Sequence, residues 1–205
     1  MEASVAVIFD LGNVLLPIRL DLTYSALASF THYFSAEEIQ YVTEQEGLWI
    51  PYESGLESCD AFRNRLRLRF QLECNDVEFD QAFSALLLDF PVDVVALIQE
   101  VKASFPVYLL SNTSRIHSNI FLQNESLFSL FERIHLSYTM GVSKPDKAIY
   151  QQVLDSNQLQ SKQIVFFDDN KLNVKSALEL GWDAVLIEPS NSFSQIRNHL
   201  SKYVN

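Results

Sequence analysis

A chain of 205 residues with 48% apolar side chains can build one ordinary core, or a core that carries an inserted module. A formal charge of −11 excludes the positive footprint that a phosphate backbone demands, so nucleic acid is not an expected partner. Cys59 and Cys74 lack paired spacing or a nearby histidine, and neither a signal-peptide pattern nor a membrane-length apolar run is present; the expectation is a soluble, cytoplasmic protein without a disulfide framework, zinc site or membrane partner.

The run Val5 to Phe9 is apolar without alternation, which predicts a strand buried on both faces in a parallel sheet. It ends at Asp10, followed by Gly12 and Asn13, two residues that tolerate unusual backbone angles. From Asp21 the pattern turns helical. Asp21 is expected to cap a helix over 22–34, and Ser35 with Glu38 forms a capping box for a helix that Gly47 ends. A loop through Trp49, Pro51 and Tyr52 leads to Ser58, the expected cap of a helix with Phe62, Leu66 and Phe70 on one face. Another helix is expected over about 76–88. Arg63, Arg65, Arg67 and Arg69 step around their helix at about 200° each, so they make no single anion-binding face and read as a solvated surface.

After Pro91 helices and strands alternate. Expected strands are 106–110, 133–136, 163–167 and 184–187. Expected helices start at Pro91 and Pro145, end at Gly181, and close the chain over 192–203, while 117–130 is helical or irregular. This alternation implies an α/β, doubly wound, Rossmann-like parallel sheet in residues 1–16 and 90–205, with an inserted α-helical domain over 17–89.

Four strand ends carry polar residues, where open parallel sheets bind ligands. Asp10 can be a nucleophile or metal ligand, or a helix cap. Ser111-Asn112-Thr113 suits an anionic oxygen, or caps the next helix. Lys144 precedes a helix start, where an acid would be the more comfortable residue. A shared anion would resolve that, although exposed lysines are common in such places. Asp168 and Asp169 repel each other unless a cation or proton intervenes, and a cap accounts for only one of them.

In this order the four motifs, Phe9-Asp10-Leu11-Gly12-Asn13, Ser111-Asn112-Thr113, Lys144-Pro145 and Phe167-Asp168-Asp169 with Asn173, resemble the haloacid dehalogenase superfamily along the whole chain. The helical insert resembles the small cap of one large branch. Tyr52-Glu53-Ser54-Gly55 followed by Phe62, Ser111 to His117, and Phe166 to Asn170 are similar to bacterial members that hydrolyse sugar 1-phosphates. The resemblance implies a Mg²⁺-dependent phosphatase acting on a small phosphorylated metabolite. It makes Asp10 the nucleophile, with Lys144 also catalytic. Asp10, Asp168 and the Gly12 carbonyl would hold Mg²⁺, Asp169 and Asn173 would support them, and Ser111, the Asn112 N–H and Lys144 would bind the phosphoryl oxygens.

One position departs from the pattern. Most phosphatases of the family place a second Asp two residues after the nucleophile as the general acid, and here that residue is Gly12. The departure keeps open a 2-haloacid dehalogenase, whose first motif also lacks that Asp, and a non-catalytic binding module on the same fold.

Overall fold

The computed structural model describes residues 5–204. Strands β1 (Ala6–Phe9), β2 (Val107–Ser111), β3 (Arg133–Leu136), β4 (Ile164–Asp168) and β5 (Asp183–Leu186) form one sheet in the order β3-β2-β1-β4-β5, with every neighbouring pair parallel. Val7 lies in register with Val107 on one side and Val165 on the other. The unbroken apolar run of β1 has its cause here, because alternate residues face opposite cores. Val7 and Phe9 join Val107, Leu109, Val165 and Phe167 beneath α6 (Val94–Lys102) and α12 (Ser192–Leu200). Ala6 and Ile8 join Leu110, Ile164 and Phe166 beneath α10 (Lys147–Asn157) and α11 (Lys171–Glu179). The strand order reverses at β1, where β2 lies on one side and β4 on the other, and ligands bind at the carboxyl ends of such a switch.

Between β1 and β2 lie α1 (Leu20–Ala28), α2 (Ala36–Glu46), α3 (Ile50–Glu53), α4 (Cys59–Phe70) and α5 (Asp76–Phe83), whose buried aromatic residues form a third cluster around Phe62, Phe79 and Phe83. The strands leading in and out of this block run beside each other: Ile18 bridges Leu87, and Leu88 N–H donates to the Pro17 carbonyl at 3.2 Å. Among the described residues no helix is long and apolar enough to cross a membrane.

Several local expectations are corrected. Asp21 is not a cap; it lies in the first turn of α1 and pairs with Arg19, and the helix stops at Ala28 because the Phe30 carbonyl is taken by Glu73 N–H at 2.7 Å. The expected loop at Trp49 to Tyr52 contains α3, with Pro51 in its first turn where no N–H is missed. The helix from Asp76 gives way after Phe83 to a 3-10 turn over Ser84–Leu86, since Thr23 Oγ donates to the Phe83 carbonyl and accepts from Leu86 N–H. Pro91 and Pro145 precede their helices rather than open them, and the caps are Asp93 and Asp146. Over 117–130 two helices form, α7 (Arg115–Phe121) and α8 (Glu125–Phe128), and α9 (Ser137–Met140) is an unforeseen turn after β3.

The four arginines of α4 are not a solvated surface. Arg63 grips Asp80 through two bonds of 2.8 and 2.6 Å, Arg65 does the same to Glu57, and Arg67 and Arg69 reach Asp76 and Glu46. Three of these guanidiniums also lie over the rings of Phe62, Phe79 and Phe70. The acidic excess of the chain supplies a partner on a neighbouring element for each, and the long stems cover the aromatic cluster.

Candidate active site

β1 and β4 end side by side, so the two residues that follow their apolar runs meet. Asp10 N–H still belongs to the sheet, donating to the Phe167 carbonyl at 2.8 Å, while its carboxylate points past the strand ends. Lys144 reaches in between. Its Nζ lies 2.8 Å from Asp10 Oδ1, 2.6 Å from Asp168 Oδ2 and 2.9 Å from the Leu110 carbonyl, with the side chain only 1% exposed. Burial works against the ammonium, but the two carboxylates outweigh it and hold Lys144 above the usual lysine range. Lys144 is therefore a buried lysine shared by two carboxylates, not an exposed one before a helix.

The cap alternatives fall as well. No helix follows Asp10 before Leu20, Ser114 rather than Ser111 caps α7, and Asn170 caps α11. Asp168 is fully buried; its Oδ1 accepts from Asn170 N–H at 2.8 Å, and Asn173 Nδ2 donates to both its oxygens at 3.0 and 3.1 Å. Asp169 is held by Asn13 Nδ2 at 2.9 Å, and Asn13 Oδ1 accepts from Ile18 N–H. Of the two residues that tolerate unusual angles only Asn13 takes one, with φ 56°; Gly12 does not. Asn112 turns its side chain to the lysine loop, donating to the Lys144 carbonyl at 2.8 Å and accepting from Lys144 N–H at 2.9 Å. Ser111 is buried at the end of β2, so second and third motifs stand as one assembly.

One carboxylate oxygen from each of Asp10, Asp168 and Asp169 lies within 4.8 Å of the others. A single ammonium does not balance three carboxylates. Burial pushes the Asp10 carboxyl up to about 7 although Lys144 opposes it, and burial also raises Asp169. Hard oxygen donors gathered with surplus negative charge are what a divalent cation such as Mg²⁺ takes, so the donor set fits one.

Sequence reasoning passed over three features. Asn13 was noted only for its backbone, and Asn112 only for its backbone N–H rather than for the side chain that ties it to Lys144. Glu53, at the end of α3, lines a cavity of about 90 Å³ together with Gly12, Ser111, Asn112 and His117. Burial pushes its carboxyl up to about 7. Glu53 stood within the stretch Tyr52-Glu53-Ser54-Gly55 but was given no role there.

Residues 7–187 match the family model for haloacid dehalogenase-like hydrolases. The drimenol cyclase of Aspergillus calidoustus is 32% identical over 189 residues, covering 88% of this chain, which spans only 33% of that protein. The D-ribitol-5-phosphate phosphatase of Bacteroides thetaiotaomicron is 25% identical over 193 residues, covering 90% of this chain and 91% of the relative. A HAD family enzyme from the same organism, solved in complex with magnesium and inorganic phosphate, superposes with a TM-score of 0.83 at 26% identity, covering 95% of this chain and 99% of that one.

Proposed function

The chain belongs to the haloacid dehalogenase-like hydrolases, and from that premise we propose that it is a Mg²⁺-dependent phosphatase of a small phosphorylated metabolite, acting through a phosphorylated Asp10. The observation that carries the reading is the Asp10–Lys144–Asp168 array at the junction of β1 and β4. Phosphoryl transfer needs in-line positioning and neutralisation of the oxygens in transit more than it needs covalent chemistry from the protein. In this reading Asp10 attacks phosphorus with one oxygen while Lys144 fixes the other. The Lys144 ammonium, the Ser111 hydroxyl and the Asn112 N–H serve the phosphoryl oxygens, and the Asn112 side chain keeps Lys144 in place.

Asp10, Asp168 and the Gly12 carbonyl would hold Mg²⁺ with Asp169 in support, and the ion would supply further neutralisation of phosphoryl charge. Asn173 and Asn13 orient the two carboxylates of the β4 end. The block 17–89 acts as a cap on a core of 1–16 and 90–205, linked through the paired segments at Ile18 and Leu87. The similarity to a pentitol phosphatase and to an enzyme that holds magnesium and phosphate supports the reaction class. Sugar 1-phosphates and polyol phosphates both belong to that class.

The test is phosphate release from a panel of sugar and polyol phosphates with and without Mg²⁺, beside halide release from 2-haloacids. Mg²⁺-dependent phosphate release lost in Asp10→Asn supports the reading. Halide release without phosphate release would replace it with dehalogenation, and neither product would point to a binding module.

A further inference from the structure

Gly12 leaves the phosphatase reading without a group to protonate the departing alcohol, and no other residue of the β1 turn supplies one. Directly beside Gly12 lies the cavity of about 90 Å³, bounded by Ser111 and Asn112 on the sheet side and by Trp49, His117 and Glu53 on the helical side. Glu53 has no hydrogen-bonding or ion-pairing partner for its carboxyl among the described residues. His117 on α7 lines the same cavity, and the charge of Glu53 is felt by Tyr24 on α1. His117 is kept neutral by burial, at about 4, and donates from Nε2 to the Phe83 carbonyl. Burial also raises Tyr24, to about 12.

The backbone around Glu53 is tied to both sides of the catalytic array. The Glu53 carbonyl accepts from Ser137 Oγ at 2.6 Å, and Ser137 Oγ in turn accepts from Thr113 N–H at 2.9 Å. Ser54 Oγ lies 2.8 Å from Oγ of Ser143, the residue before Lys144. Gly55, with φ +69°, packs so closely on Tyr138 that an added Cβ would sit 2.1 Å from its carbonyl oxygen. The backbone that carries the Glu53 side chain is thus anchored at the strand ends of β2 and β3.

We propose that Glu53 is the general acid and base missing at Gly12, giving its proton to the leaving oxygen and recovering one from the attacking water. The inference rests on the phosphatase reading. In the first half Asp10 Oδ forms a bond to phosphorus, the bond from phosphorus to the leaving oxygen breaks with its electron pair on that oxygen, and the Glu53 proton moves there to give the free alcohol. In the second half water oxygen bonds to phosphorus, its proton passes to the Glu53 carboxylate, and the Asp10–phosphorus bond breaks to return the Asp10 carboxylate and inorganic phosphate. Burial prepares the side chain for this, since a carboxyl near 7 can both give and take a proton at neutral pH.

The test compares wild type with Glu53→Gln on two leaving-group classes, ribitol 5-phosphate and 2,4-dinitrophenyl phosphate, with Mg²⁺ saturating and kcat/KM read across pH. The proposal expects the alkyl ester to lose about 10²-fold or more in Glu53→Gln and the dinitrophenyl ester only a few-fold, because its leaving group needs no proton. In wild type the alkyl kcat/KM should fall as pH rises past about 7, since the acid must be protonated, and that limb should be absent for the dinitrophenyl ester. Equal losses on both esters, or a rise in KM alone, would make Glu53 a structural or hydroxyl-binding residue and overturn the proposal, as would no loss at all. If Glu53→Gln does not fold, the wild-type contrast between the two pH profiles decides by itself. A wild type that turns over neither ester fails the phosphatase reading instead, and the proposal falls with it.

Discussion

Replacing Lys144 with Met keeps an unbranched apolar stem of similar length and removes the ammonium that Asp10 and Asp168 share. In the folded protein that ammonium sits 2.8 and 2.6 Å from the two carboxylates with 1% of the side chain exposed, so water cannot take its place. Removing one partner of a buried ion pair costs about 3–5 kcal/mol, because the charge left behind stays desolvated. For a chain of this size that is a fall in Tm of about 6–20 °C, taking roughly 2–4 °C per kcal/mol. Two internal controls follow from the same structure. Lys147→Met, which breaks an exposed pair with Glu179, should barely move Tm. Adding Asp168→Asn to Lys144→Met should recover part of the loss, since it removes one of the orphaned charges. Calorimetry in chelator at fixed pH reads all three, and saturating Mg²⁺ should narrow the difference between Lys144→Met and wild type. If Lys144→Met is no less stable than Lys147→Met, or if Asp168→Asn makes it worse, the charge accounting at the strand ends is wrong.

Asp10→Asn should retain the wild-type circular dichroism and release no measurable phosphate, because an amide oxygen cannot form the phosphorylated intermediate; retained turnover would move the nucleophile elsewhere. Gly55→Ala should destabilise by at least about 1–2 kcal/mol from the left-handed backbone alone, and the 2.1 Å approach to Tyr138 should add to it, so denaturant midpoint and phosphate release should fall together. Arg63→Met should cost about 1–3 kcal/mol through the lost charged hydrogen bonds to Asp80, whereas a solvated arginine would cost nothing measurable in the same melt.

The centre of the sheet was legible because β1, β2 and β4 are apolar runs with a clear stop, and the same stops mark Asp10, Ser111 and Asp168. Residues that meet only through the fold were not legible. Nothing local to Arg63 says that Asp80 waits one helix away, and nothing local to Glu53 says that its neighbours will be Gly12 and Ser111. Helix ends were misjudged wherever a distant group takes the terminal carbonyl, as Glu73 does at Phe30 and Thr23 at Phe83. Caps whose partner is three residues along, such as Ser35 with Glu38, depend on nothing distant, and that box forms as expected.

At Gly12 the tolerance of unusual backbone angles is not called on. A backbone need would forbid any side chain there, but the positive φ belongs to Asn13, and what an added Cβ at Gly12 would meet is Ile18 Cδ1 at 3.2 Å. That atom is the end of a flexible side chain and has only a few tenths of an ångström to yield. Gly12→Asp should therefore fold with little loss, and its carboxyl would enter on the cavity side that Glu53 already borders. If proton transfer is what Gly12 lacks and Glu53 provides, the two carboxyls are alternatives. Gly12→Asp should then restore alkyl phosphate turnover in the Glu53→Gln background by about 10-fold or more while changing dinitrophenyl phosphate little, measured as kcat/KM on both esters. Additive losses in the double variant, with no rescue on the alkyl ester, would mean that the new carboxyl only crowds Ile18 and that the proton reaches the leaving oxygen from solvent.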